Sequence, residues 1–261
     1  MNLTAYRYFK RDISWLSFNY RVLLEAKNTS LPVYERIKFL AIYSSNLEEF
    51  YKVRVSGYHS SLLKSIQRDE SEEEALQILA AINREVTAHE KEYYHIFNEM
   101  ILPELERNNI ILYQTDRVSS FHRPFVEKFF NEEVFPYLQP MIIQKDDIHS
   151  FILDGRIYQA ISLLKRKKKK NEDEKLRYTY AIMKIPYTKL PRFIQLPSHD
   201  GKYYIMFIDD IIKANLQSVF PGYHVGDCYS IRISRDADFS LEDENQKDIA
   251  EKIKKKVRKR K

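Results

Sequence analysis

The chain has 261 residues, 44% hydrophobic and 13% aromatic, enough apolar material for one large or two ordinary cores, which excludes a disordered protein. No apolar run approaches a membrane span and the N-terminus MNLTAYRYFKRD lacks the apolar core of a secretory signal; Cys228 has no second cysteine to pair with, so a reducing cytoplasm is the expected setting. The net charge of +6 belongs to the tail: residues 251–261 carry eight Lys or Arg and one Glu, and without them 35 basic residues face 36 acidic ones, a body too neutral for a specific nucleic-acid binder.

In chain order, Asp12 to Lys27 reads as a first helix, with Ile13, Leu16, Tyr20, Leu23 and Leu24 at helical spacing. Asn28-Thr29-Ser30 ends it, and Pro32 suits the first turn of the next helix. That next stretch, from Leu31 past Gly57 to about Arg68, carries two stripes: Val33, Ile37, Leu40, Ser44, Leu47, Tyr51 and Phe39, Tyr43, Asn46, Phe50, Val53. Two stripes predict cover on both sides and a central place in the domain. Ser44-Ser45-Asn46 also reads as a helix restart, since Ser45 with Glu48, or Asn46 with Glu49, fits a capping box. After the acidic patch 69–74, where Ser71 and Glu74 fit another capping box, Leu76, Leu79, Ile82, Val86, Tyr93 and Phe97 predict a helix ending near Leu102, before Pro103. These helices make a small bundle over residues 1–108, with Asn108-Asn109 as the boundary.

From Ile110 the period shifts from 3.6 toward 2. Ser120 to Phe135 reads as one more helix, and 138–143, 157–164, 176–185 and 203–208 read as strands rich in Ile, Tyr and Leu. The second and third of these flank KRKKKKNEDEK, a charged hairpin loop. Ser198-His199-Asp200-Gly201 is a turn, Asp209 to Val219 a helix stopped by Phe220-Pro221-Gly222, Cys228 to Ser234 the last strand, and 242–258 a terminal helix. The expected fold class is α+β: an N-terminal helical bundle, then residues 109–261 as an α+β domain with a largely antiparallel sheet.

Five glycines in the whole chain exclude a glycine-rich phosphate loop and a dinucleotide fingerprint. Of the seven histidines, His89 and His95 share a helix but lie about 240° apart around it, so they cannot chelate one metal from one face. Each histidine reads as a surface or helix-end residue. Asn46 is the anomaly, an amide among rings. It can cap a helix, make a core hydrogen bond, or meet a purine edge, with Tyr43 or Phe50 offering stacking surface. Arg54 can meet phosphate or form a surface ion pair. Lys165 to Lys170 and the tail 254–261 read as solvated charge, with a polyanion site as the other reading. Trp15 reads as core, and Asp236-Ala237-Asp238 as a turn cap.

Several stretches together resemble one family. FKRDISWLSFNYRVLLE and FLAIYSSNLEEFYKVRVSG are similar to the N-terminal domain of polyphosphate kinase, and FFNEEVFPYLQP, LPRFIQLP and VFPGYHVGDCYSIRISRDADF to its second, "head" domain. The likeness runs in register over nearly the whole chain, which is more specific than any single motif. It implies a cytoplasmic transferase that moves the terminal phosphate of ATP, with Mg2+, through a phosphohistidine to polyphosphate. It also implies that Asn46 contacts ATP and that the head domain contributes to a dimer, a homo-oligomer. The phosphate-carrying histidine and the metal-binding residues of the family match nothing in this sequence, so the chain is expected to be a fragment without the catalytic region, inactive alone. Where the family tends to show His-Pro-Phe-Pro, this chain has His149-Ser150-Phe151-Ile152. The alternative is a non-enzymatic scaffold whose basic tail binds nucleic acid or other polyanions.

Overall fold

The computed structural model describes residues 10–68, 73–114, 118–143, 151–165 and 178–235, the side chains of 63–68 excepted. Residues 69–72 of the acidic patch, with Ser71 of its capping box, most of the Lys165–Lys170 run, His149, Asp236 to Asp238, the helix expected over 242–258 and the basic tail lie outside those residues.

The front region is helical: α1 (Arg11–Glu25), α2 (Val33–Phe50), α3 (Ser56–Arg68), α4 (Glu73–His95) and α5 (Leu102–Arg107). α1 buries Asp12, Leu16, Asn19 and Leu23, a stripe in steps of four, three and four. α2 lays Arg36, Leu40, Tyr43 and Phe50 into the bundle. Two apolar clusters result. One joins Leu23, Ala26, Leu40 and Tyr43 to Ile96 and Ile101; the other joins Leu16, Phe50 and Val55 to Leu79, Ile82 and Val86.

Two expectations fail here for one physical reason. The restart at Ser44-Ser45-Asn46 does not occur: the three residues sit inside an unbroken helix that continues through a π turn, Tyr51–Val55, into α3. Nor does the fourth helix stop before Pro103, because a second π turn, Ile96–Ile101, precedes α5 and widens the backbone where the proline ring would otherwise meet the preceding turn. In both places burial of flanking apolar residues outweighs a local stop signal.

Asn109, at φ 61°, turns the chain into β1 (Ile110–Tyr113). The rest is α+β. α6 (Arg123–Phe129) ends in a π turn, Phe130–Val134, so the helix expected from Ser120 is shorter and irregular. Among the described residues seven strands form two sheets. β2 (Pro140–Ile142), β3 (Ile157–Lys165), β4 (Tyr178–Lys184) and β7 (Tyr223–Arg232) pair antiparallel in the order β2-β4-β3-β7. β5 (Phe193–His199) and β6 (Lys202–Phe207) form a hairpin, and β1 joins β6 in parallel. The sheet is therefore largely antiparallel, as the strand pattern predicts, but split in two.

β5 is a strand the sequence pattern passes over. Pro197 interrupts its alternation, and the ladder with β6 is irregular between Leu196 and His199 to accommodate it. The hairpin turn at Asp200 and Gly201, both with positive φ, is the predicted one. The helix expected over 209–219 is broken at Asn215 into α7 (Ile208–Ala214) and α8 (Leu216–Val219). The last strand starts five residues earlier than expected, at Tyr223. β7 passes so close to β3 that a Cβ on Gly226 would lie 2.5 Å from the Ser162 hydroxyl. The larger core lies between the sheets and α6 to α8, around Phe130, Ile161, Met183, Met206 and Ile211.

Candidate functional site

The contact between α1 and α2 brings the candidate residues together. Asn19 is fully buried; its Nδ2 donates to the Tyr43 carbonyl at 3.1 Å. Its Oδ1 accepts from Asn46 Nδ2 at 3.0 Å. A fully buried amide with both ends used costs little, whereas one left unpaired costs roughly 1–3 kcal/mol. Asn46 is half-buried, so of its readings from sequence the core hydrogen bond is the one observed, and it caps no helix. Its Oδ1 takes no protein donor among the described residues and is not sealed from solvent.

One to two turns along the same faces the helices part into a cleft of about 270 Å³, lined by Arg11, Asp12, Trp15, Glu49, Phe50, Val53 and Arg54. Trp15 is half-buried and stacks on Phe50 with centroids 4.8 Å apart. The stacking surface expected from Tyr43 and Phe50 is not offered: both are buried, 2% and 4% exposed, Tyr43 against His89 and Tyr93. The rings were consumed in building the core, and of the two aromatics lining the cleft, Trp15 and Phe50, Trp15 is the more exposed.

At its far end Asp12, buried, accepts from the Tyr58 hydroxyl at 2.6 Å and lies 3.6 Å from the Arg11 and 3.9 Å from the Arg54 guanidinium. Burial first, then the bond to Asp12, pushes the Tyr58 hydroxyl up to about 12, so it stays protonated and donating. Arg54 thus makes the ion pair, and its side chain remains about half exposed. Two guanidinium groups flank the Asp12 carboxylate, and with Glu49 also on the lining the cleft carries two cationic and two anionic side chains.

Glu48, on the opposite flank, ties the helical region to the sheets. Its carboxylate takes Lys52 at 2.9 Å, Arg232 at 3.1 Å and 3.2 Å, and the Ser234 hydroxyl at 2.8 Å. The bond from Lys52, with Ser234 and Arg232, holds its carboxyl below the ordinary value.

Two histidines are buried: His89 departs from the surface or helix-end reading, and His122 keeps only its helix-end half. His89 is buried and stacked on Tyr20, and burial lowers its pKa. His122 is buried just ahead of α6, Nδ1 between the Tyr113 and Ser119 hydroxyls and Nε2 at 2.8 Å from the Pro197 carbonyl. That bond pins β5 at its irregular point. Among the described residues no group of three His, Cys, Asp or Glu side chains gathers as a metal site, and no helix is long and apolar enough to cross a membrane. Sequence reasoning missed Asn19, Asp12 and Arg11. The available signal was the pair of polar residues, Asp12 and Asn19, on the stripe that also holds Leu16 and Leu23.

Comparison with known proteins supplies the context for this site. Residues 8–113 match the polyphosphate kinase N-terminal domain and residues 122–261 the polyphosphate kinase middle domain. Polyphosphate kinase from Vibrio cholerae is 32% identical over 94% of the chain, and that from Bacillus anthracis 34% identical over all of it. The chain spans 34% and 37% of their lengths, about a third. The crystal structure of polyphosphate kinase from Porphyromonas gingivalis superposes with a TM-score of 0.77 at 47% identity, covering 91% of this chain and 34% of that one. Two domain matches in sequence order, alignment of nearly the whole chain to part of curated relatives and a shared fold agree, and the chain belongs to the polyphosphate kinase family, of which it carries the N-terminal and middle domains.

Proposed function

We propose that this chain is the nucleotide-contacting front of an enzyme that transfers the terminal phosphate of ATP to polyphosphate through a phosphohistidine. Asn46 meets the base, and the cleft beyond it receives the rest of the nucleotide. From Asn46 to Arg54 the helix rises about 12 Å, so a base at the amide places its phosphates toward Arg54 and Arg11. Trp15 borders the path between them. Guanidinium groups suit phosphate by charge and by their planar fork of donors. Phosphoryl transfer depends on positioning and charge neutralisation, and this region contributes the first. The reacting histidine and the Mg2+ ligands belong, on this reading, to sequence outside these 261 residues. A cytoplasmic location and self-association through the sheet region complete the reading; sedimentation velocity reads the latter directly.

The observation that carries the proposal is the half-used Asn46 amide, held on one side by Asn19 and open on the other. Its test is Asn46→Ala in the natural gene product, with ATP affinity measured by calorimetry. Affinity should fall about tenfold, the value of one good amide–base contact, with an unchanged melting curve. Unchanged affinity refutes it. The 261-residue chain alone should make no polyphosphate from ATP; robust synthesis would overturn the assignment of the chemistry elsewhere.

A further inference from the structure

The hydrogen bonds around Asn19 decide which way the Asn46 amide faces. A backbone carbonyl only accepts, so the group of Asn19 that meets the Tyr43 oxygen at 3.1 Å is Nδ2. Asn19 therefore presents Oδ1 to Asn46, and an oxygen there only accepts as well. Asn46 must answer with Nδ2, at 3.0 Å. The order is fixed from a group with no alternative: turning Asn19 over loses both bonds, and turning Asn46 over loses the one to Asn19. What Asn46 has left is its Oδ1, a pure acceptor, and the second hydrogen of Nδ2, in fixed relative positions.

We infer that Asn19 is a positioning residue that makes Asn46 selective for a 6-amino purine over a 6-oxo purine. The inference rests on the reading that Asn46 contacts the base. A free asparagine turns about its last torsion and serves either edge: oxygen toward an amino group, or nitrogen toward a carbonyl. An anchored one cannot. In one base pose, the Oδ1 that accepts from a 6-amino group would face a 6-oxo group lone pair to lone pair, and the neighbouring N–H would face the proton on ring nitrogen 1. Asn19 itself touches no ligand, since it is fully buried beneath Asn46.

The test compares ATP with ITP, which exchanges the 6-amino for a 6-oxo group, in the natural gene product by calorimetry. The unsubstituted protein should prefer ATP by about tenfold or more; equal affinity overturns the inference without any substitution. Asn19→Ala should release the amide and shrink that preference to about threefold or less, whereas simple loosening of the fold would weaken both nucleotides alike. Asn19→Asp keeps an acceptor toward Asn46, and its protonated form still donates to the Tyr43 carbonyl, so it should retain the preference at some cost in stability. If Asn19→Ala leaves the ratio unchanged while Asn46→Ala weakens ATP, the positioning role fails and the base contact stands. If Asn46→Ala also has no effect on ATP, both fall.

Discussion

Arg36 is fully buried, yet nothing in the α2 sequence marks it as different from its exposed neighbours. Its Nε donates to the Ala26 carbonyl at 2.8 Å, where α1 ends, and its Nη1 meets Glu104 on α5. One side chain therefore ties three helices, with Nη2 unpartnered. Removing the counter-charge strands a buried cation, so Glu104→Ala should cost about 3–5 kcal/mol in urea unfolding, and Arg36→Met distinctly less. Gly226 offers a second test. Gly226→Ala drives a methyl into the Ser162 hydroxyl, which accepts from the Asp227 N–H at 2.8 Å, and should cost about 1–3 kcal/mol; Ser162→Ala in the same chain should recover part of it. At this scale the sequence singled out Asn46, because an amide inside an aromatic stripe is visible by spacing alone. Asn19 and Arg36 were not legible. A polar residue on a helix shows its role only once its partner is known, and those partners lie 24 and 68 residues away.

Helices and strands were legible where burial repeats with one period. α1, the long α2–α3 helix and the β3–β4 hairpin follow from spacing. The π turns, the break at Asn215 and β5 did not, because each is a local rule overruled by packing or an irregularity forced by proline. α4 carries a consequence for acid stability. His89 is pressed between Tyr20 and Tyr43, with its Nδ1 unpartnered and Glu85 nearby, and burial lowers its pKa from 6.5. The unfolded chain then binds the proton more readily than the folded one. Stability is highest above pH 6.5 and falls as pH drops through that value toward the folded pKa; His89→Phe should flatten this slope in pH-dependent denaturation. β7 carries another. Cys228 is buried against the core, and burial pushes its thiol up to about 11. It should react with a disulfide reagent only on unfolding, and reaction in the native state at the rate of a free thiol would contradict that.

Across the whole molecule, the two regions are joined by charge as well as by backbone. Glu48, from the helix bearing Asn46, grips Arg232 and Ser234 at the end of β7. Arg232 also donates to the Gly155 carbonyl at 3.2 Å, and the Arg235 N–H to Asp154 at 2.7 Å, so the strand end and the loop before β3 share the attachment. Arg232 is about half exposed, so solvent screening limits the pair: a Glu48→Ala, Arg232→Ala double-mutant cycle should give coupling of about 1 kcal/mol, shrinking in high salt. The contribution is present above pH 4.5, the ordinary carboxyl value, and disappears as pH falls through the lowered one. None of this attachment was legible, since it joins residues 184 positions apart.

β1 emerges during synthesis long before β6, its parallel neighbour, with Ile110 opposite Tyr203. The helices ahead of it can collapse early, from contacts close in the chain, while the three-stranded sheet must wait for a loop of some ninety residues to close. Refolding should therefore be staged, fast helix recovery preceding slow docking of that strand, and a translating ribosome would hold an unpaired hydrophobic edge open through the interval.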